Sequence, residues 1–319
     1  MQFVKKILKW SLIAFLVIFI FLSVFPYLIP LKEGEAFMAR RDYFPNSQID
    51  EFEGVWVHYR VFEAKGNKKG NILFLHGFSG STFSWRKNVD FFQQKGYQVL
   101  CIDLPPFGYS DRLPTWNYSI ENKANLAWKV AEKVDNDAKW ILAGHSMGAG
   151  VALAMGQIKP EKTEKIACIG GLFFSRRSGS FGKLLISYPP VQVWAEVLLR
   201  EYFAEKDRFK EILQSAYNQE PDEEAIKGYL QPLLLKGTAT AILKSSIAES
   251  NFDLDYNNVA SKMVVIWGEK DMWVSPKIAK NWHKNYPDVP FITIKEAGHC
   301  PMETHAEQFN EFFEQALSK

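Results

Sequence analysis

No charged residue interrupts the chain from Trp10 to Leu31 (WSLIAFLVIFIFLSVFPYLIPL), and Lys5, Lys6 and Lys9 stand just before that stretch. Wound as a helix, its 22 residues reach about 33 Å, enough to cross the hydrocarbon layer of a bilayer. The stretch is too long for the apolar core of a cleaved signal, and Ser23-Val24-Phe25 and Ala36-Phe37-Met38 are poor cleavage signals. A buried core helix is the other alternative, but this segment has no polar face and is long for one. The pattern predicts a tail and transmembrane anchor over 1–31, with Pro26 and Pro30 ending the helix near the far interface. Lys32, Arg40 and Arg41 follow the span, so basic residues flank both ends. The preceding cluster lies closer, and a short tail with three lysines is costly to translocate. The expectation is a cytoplasmic tail and a large domain on the non-cytoplasmic side.

Residues 32–48 read as a connector, with mixed charge and no sustained period. Beyond it, Val55–Phe62 alternates as an antiparallel strand does, and the turn-rich Lys65–Gly70 ends it. Short apolar runs then recur at Ile72–Leu75, Gln98–Ile102, Trp140–Ala143, Lys165–Ile169, Met263–Trp267 and Phe291–Ile294. Helical patterns such as Ile120–Val134 and Gly148–Ile158 lie between most of them. Buried runs alternating with helices predict an α/β fold with a mostly parallel sheet covered on both faces. The rhythm breaks over 172–258, where no convincing strand occurs. Amphipathic stretches at Val191–Phe203, Arg208–Tyr217, Glu223–Leu235 and Thr238–Ser250 replace it. This organisation places a core in 49–171 and 259–319, with a helical cap, or lid, inserted at 172–258.

Composition adds to this picture in two places. The 38 basic and 36 acidic residues give a net charge of +2. Without residues 1–31, however, 35 basic residues remain against the 36 acidic. The positive excess therefore belongs to the N-terminal segment, and a nucleic-acid binder, which needs a basic surface, is excluded. The three cysteines, at 101, 168 and 300, are too few and too scattered for a disulfide framework or a zinc site.

The strongest chemical signal is Gly144-His145-Ser146-Met147-Gly148, set between the strand Trp140–Ala143 and a helix. In that context G-x-S-x-G makes a sharp turn that exposes a strained serine hydroxyl. The following helix N-terminus offers the Met147 N–H to a developing oxyanion. After the strand Ile72–Leu75 comes His76-Gly77-Phe78-Ser79-Gly80, a loop whose Phe78 N–H is the candidate second donor. His76 can instead be read as a histidine that anchors the loop. A serine nucleophile needs a base and an orienting acid. His299, in the loop after the last strand, is the candidate base, because the other histidines lie in motifs, early strands or helices. Asp271, after the strand Met263–Trp267, is the preferred acid, with Glu269 its substitute. The order Ser, Asp, His is the one expected of this architecture.

On these residues the chain resembles the α/β-hydrolase fold superfamily over about residues 50–316. The segment Asp103-Leu104-Pro105-Pro106-Phe107-Gly108-Tyr109-Ser110-Asp111 is similar to the family's D-x-P-G-x-G-x-S-D loop, with Pro106 where glycine is usual. The resemblance implies an eight-stranded-type sheet and a serine esterase or lipase acting on a carboxylic ester with an apolar acyl group. It implies Ser146 as nucleophile, Asp271 as acid and His299 as base, with Phe78 and Met147 as oxyanion donors and 172–258 shaping the acyl pocket. It implies no metal and no organic cofactor. A serine nucleophile departs from the epoxide hydrolases and haloalkane dehalogenases of the same fold. The same three residues would also serve carbon–carbon, amide or thioester hydrolysis, or acyl transfer, and a non-catalytic binding protein on this fold is a further reading. The expected partners are a small-molecule or lipid-derived ester and the membrane.

Overall fold

The computed structural model describes residues 2–30, 44–172, 180–248 and 252–317. The chain opens with helix α1 (Gln2–Val24), which a 3-10 turn at Phe25–Leu28 prolongs. Together they form an element, Phe3–Leu28, long and apolar enough to cross a membrane. Most of the stretch expected to be a connector, residues 31–43, lies outside the described residues. Strands β1 (Ser47–Phe52), β2 (Val55–Phe62) and β3 (Gly70–Leu75) follow. Next come α2 (Val89–Gln94), β4 (Tyr97–Ile102), α3 (Ile120–Val134), β5 (Trp140–His145), α4 (Met147–Ile158) and β6 (Thr163–Ile169). After the helices α5 (Ser180–Ser187), α6 (Pro189–Leu198), α7 (Lys206–Tyr217), α8 (Glu223–Leu233) and α9 (Thr238–Ser246), the sheet resumes. It closes with β7 (Met263–Gly268), α10 (Pro276–His283), β8 (Phe291–Ile294), α11 (Pro301–Thr304) and α12 (Ala306–Leu317).

The eight strands lie in the order β1-β2-β4-β3-β5-β6-β7-β8. The pairs β1–β2 and β2–β4 are antiparallel and all others parallel. Alternate side chains of the central strands enter opposite cores, as the two-residue period requires. Leu73, Leu75, Leu100, Ile102, Leu142 and Val265 pack with α3 and α4. Ile72, Phe74, Val99, Cys101, Ile141 and Ile266 pack with Phe92 of α2 and with Phe309 and Phe313 of α12. Because helices cover both faces, these strands read as continuous apolar runs rather than alternating ones.

Phe209, Leu213 and Tyr217 of α7 and Tyr229 of α8 join the second of these cores, so the inserted helices rest on the sheet's own apolar layer. Two elements were hidden in the sequence. Strand β1 starts at Ser47, inside the stretch expected to be connector, because SQIDEF is a polar edge strand paired on one side only. Helix α5 also lay unread in the cap. The single helix expected at Val191–Phe203 is α6 followed by a π turn at Leu199–Phe203, and residues 249–250 of the last expected cap helix lie outside the described residues.

Candidate active site

Ser146 stands between the end of β5 and the start of α4 with φ 51° and ψ −112°. A left-handed φ on a residue with a Cβ stores backbone strain, and here neighbouring contacts hold it. The Ser146 N–H donates to the Ile169 carbonyl at 2.8 Å, and the Ser146 carbonyl accepts the Ala149 N–H at 3.0 Å. The two glycines of the motif are required by crowding. A Cβ at Gly144 would overlap the Gly148 carbonyl and the Ala149 amide, and one at Gly148 would overlap the Leu75 and His76 carbonyls. The turn is therefore pressed directly onto the end of β3.

That contact brings the His76–Gly80 loop across the serine: a Cβ at Gly77 would lie 3.2 Å from the Ser146 Cβ. His76 anchors the loop. Its Nδ1 donates to the Gly77 carbonyl at 2.7 Å, and its Nε2 accepts the Leu104 N–H at 2.8 Å. Burial lowers the His76 pKa, which keeps the imidazole in this neutral form. The Phe78 side chain is half exposed, with its ring 5.0 Å from that of Phe107. The Met147 N–H is the first of α4, one of the helix-terminal donors that have no acceptor within the helix.

His299 and Asp271 meet. The His299 Nδ1 donates to Asp271 Oδ2 at 2.8 Å, and Asp271 Oδ1 accepts the N–H groups of Trp273 and Val274 at 2.9 Å each. Both side chains are buried. A carboxylate saturated in this way orients the ring and leaves Nε2 as the free acceptor. Glu269, the alternative acid, is exposed and takes the Glu296 N–H through its carboxylate at 3.3 Å. It does not meet the histidine. Consecutive residues touch both remaining partners: a Cβ at Gly170 would lie 3.3 Å from His299 Nδ1, and one at Gly171 would fall on the Ser146 backbone. The serine and the histidine thus share the C-terminal end of β6.

Three supports of the histidine were not read from the sequence. His145 donates from Nε2 to the His299 carbonyl at 2.8 Å. Burial first, and then the neighbouring His299, push the His145 pKa well below its ordinary value, so His145 stays a neutral tether. The His299 N–H donates to the Ala216 carbonyl of α7 at 2.6 Å. Trp273 stacks on the His299 ring with centroids 5.7 Å apart, and its Nε1 donates to Ser215 Oγ at 3.0 Å. The end of one cap helix is therefore bonded to the histidine loop. A histidine inside the G-x-S-x-G motif was a visible signal for the first support. The other two depend on chain segments about 60–80 residues apart.

The Asp103 loop braces the site from below. Asp103 is fully buried and accepts the Thr82 N–H at 2.5 Å, the Tyr109 N–H at 2.7 Å and His58 Nδ1 at 2.6 Å. Burial works to raise its pKa, but His58, His76 and the Tyr109 amide bring it below the ordinary value. Among the described residues, no group of three or more His, Cys, Asp or Glu is placed to hold a metal ion.

The sequence profile of the alpha/beta hydrolase fold family matches residues 70–306. The chain is 27% identical to the uncharacterized hydrolase YugF of Bacillus subtilis over 263 residues, 81% of this chain and 93% of that protein. It is 26% identical to the 2-hydroxy-6-oxononadienedioate/2-hydroxy-6-oxononatrienedioate hydrolase of Paraburkholderia phymatum, covering 80% and 88% of the two chains. Among solved structures, a membrane phospholipase A, described as a bacterial virulence factor, superposes with a TM-score of 0.65 at 18% identity. That superposition covers 98% of this chain and 97% of the other. An esterase from Thermogutta terrifontis superposes with a TM-score of 0.65 at 17% identity, covering 86% and 98%.

Proposed function

The chain belongs to the alpha/beta hydrolase fold family, and on that premise we propose that it is a membrane-anchored serine hydrolase of carboxylic esters with an apolar acyl group. The observation that carries the reading is the strained Ser146 turn beside a His299 whose Nδ1 is held by Asp271. In this mechanism Ser146 Oγ attacks the ester carbonyl while His299 Nε2 takes its proton. Asp271 keeps the ring in place and stabilises the imidazolium. The N–H groups of Phe78 and Met147 receive the oxyanion of the tetrahedral intermediate, worth about 3 kcal/mol per donor. Collapse breaks the carbon–oxygen bond, and His299 protonates the departing alcohol. Water then attacks the acyl-enzyme, giving one proton to His299, which returns it to Ser146 as the carboxylic acid leaves.

The anchor belongs to the same reading. Phe3–Leu28 would span the bilayer, with the lysine-bearing tail in the cytoplasm and the catalytic domain on the non-cytoplasmic side. The phospholipase likeness, which extends over 98% of the chain, supports a lipid-derived ester. A second reading has its own support in the dienedioate hydrolase relatives: the same serine cleaving a carbon–carbon bond. Labelling of membranes with a fluorophosphonate probe tests the nucleophile. Wild type should label and Ser146→Ala should not, and equal labelling of the two would refute the assignment. Turnover of a p-nitrophenyl ester against a vinylogous 1,5-diketone then separates the two chemistries.

A further inference from the structure

The end of α1 is docked on the cap. Pro26 has no N–H for the Leu22 carbonyl four residues before it, so the helix loses a backbone bond there. Trp194 of α6 supplies the missing donor: its Nε1 lies 2.8 Å from the Leu22 oxygen. Ser23 Oγ donates to the Phe19 carbonyl at 2.6 Å and meets the Tyr188 hydroxyl at 2.7 Å, which places Tyr188 as donor to Ser23. The Tyr188 ring stacks on Phe19, with centroids 5.9 Å apart, and Trp194 lies 6.1 Å from Phe25. Inside a bilayer no water replaces these partners, so backbone and hydroxyl groups must be satisfied by protein. The junction of α5 and α6 does this for the last turns of α1.

The depth of that contact follows from helix geometry. A hydrocarbon layer of about 30 Å takes about 20 helical residues. Counted back from Leu28, where the apolar element ends, it finishes at Lys9, the last charge before the span. Ser23 then lies about 8 Å beneath the boundary and Phe19 about 14 Å beneath it. Tyr188 and Trp194 reach those levels.

The surface around them is apolar. From Ser180 to Phe203 the charged residues are Lys183, Glu196, Arg200 and Glu201. Glu196 pairs with Arg200 and accepts the Thr240 amide, and the exposed Glu201 lies on the π turn at the edge of this surface. Leu184 is 70% exposed, Leu185 49%, Leu198 48%, Tyr202 49% and Phe203 46%. Leu184 and Leu185 stand one turn before Tyr188, and Leu198 one turn after Trp194.

We infer that this face of α5, α6 and the π turn is a second membrane contact, immersed in the leaflet that holds the C-terminal half of α1. The inference rests on the membrane reading of α1. It names a bilayer-resident ester as the substrate class, because the cap, whose helix α7 is bonded to the His299 loop, is held in lipid. A leucine-rich face with tyrosine and tryptophan hydroxyl and indole groups at its base is the composition that interfacial helices use, and such faces sink about 5–10 Å.

The test uses the full chain in phosphatidylcholine vesicles. Leu184→Cys and Leu198→Cys are labelled with an environment-sensitive fluorophore, with Glu161→Cys, on the turn after α4, as the control. Cys101, Cys168 and Cys300 are buried and remain unlabelled. With phosphatidylcholine brominated near the top of the acyl chain, both cap labels should lose at least half their emission and the control label none. Unquenched cap labels overturn the inference. A blue-shifted but unquenched label would place protein, a second copy included, on this face, and this also overturns it. The Leu184→Glu/Leu198→Glu variant should lose at least tenfold on a long-chain ester in the bilayer while staying within twofold on a soluble butyrate ester. Equal rates on both, relative to wild type, overturn the substrate class. If wild type cleaves neither ester, the proposed hydrolase activity fails, and the quenching still decides the membrane contact.

Discussion

Glu303→Gln tests whether one buried charge fastens the cap to the histidine loop. Glu303 is 1% exposed and lies four residues after His299, in α11. Its Oε2 accepts the Tyr217 hydroxyl at 2.7 Å and Arg86 Nη1, and its Oε1 accepts the Tyr229 hydroxyl. The tyrosines belong to α7 and α8, while Arg86 follows β3, so one carboxylate ties three parts of the molecule. Tyr229 also lies 2.8 Å from Ser84 Oγ. Arg86 has little else to balance its charge. Glu224 is 3.9 Å away and mostly exposed, the Phe83 ring is 4.0 Å away, and Nε and Nη2 find no hydrogen-bond acceptor among the described residues. Burial disfavours the Arg86 cation, but Glu303 more than offsets this and holds its pKa above the ordinary value.

The amide keeps the shape and one acceptor but removes the charge, leaving the guanidinium buried without its partner. Breaking a buried pair from one side costs about 3–5 kcal/mol, and the retained acceptor sets the expectation at the lower end, about 3 kcal/mol. Urea unfolding of the full chain in detergent micelles, followed by tryptophan fluorescence, measures it. Tyr217→Phe removes one bond to the same oxygen and should cost about 1.5 kcal/mol. The double variant should cost less than the sum, because the two changes share a partner. A loss under about 1 kcal/mol for Glu303→Gln, or full additivity, would refute the assignment of the fastening charge to Glu303.

Three further outcomes follow from packing and burial. Gly268→Ala places a Cβ onto the Ala297 and Gly298 carbonyls, next to His299, and should abolish fluorophosphonate labelling. Gly54→Ala, whose Cβ meets open space at φ +80°, should cost only about 1–2 kcal/mol of backbone strain and leave labelling intact. Lys123 is buried, with Nζ bonded to the Tyr118 carbonyl at 2.8 Å and Ser245 Oγ at 3.0 Å, and burial lowers its pKa to about 7. The unfolded chain binds the extra proton between that value and the ordinary 10.5, so this lysine makes stability rise with pH across that window, by up to about 1.4 kcal/mol per pH unit. Lys123→Met should flatten the rise in the urea midpoint between pH 7 and 9.5, and an unchanged slope would show that Lys123 is not its source.

Much of the fold was legible because its signals are local. The strands that run through the middle of the sheet are covered on both faces, so each carries an unbroken apolar run that turn residues bound. The Ser146 turn was legible for the same reason, since strand, glycine and helix start follow one another within a few residues. Strand β1 was not, because an edge strand with half-exposed residues has no comparable apolar requirement. The choice between Asp271 and Glu269 depended on which of two neighbouring carboxylates the turn after β7 directs inward, and two residues of sequence do not contain that direction.

By itself, then, the sequence determined the apolar segment near the N-terminus, the alternation of buried strands with helices, and the residue types available at the strand ends. Tertiary structure decided the contacts that close the site. His145 reaches the His299 carbonyl across 154 residues, Ala216 holds the His299 amide, and Glu303 binds two cap helices to the core. It also decided that Trp194 completes a carbonyl of α1 which Pro26 leaves open. The physical reason is the range of the forces. Hydrophobic periodicity and turn geometry act over a few residues and leave a pattern in the chain. A single hydrogen bond between distant segments leaves none, because any donor brought to the same place would serve.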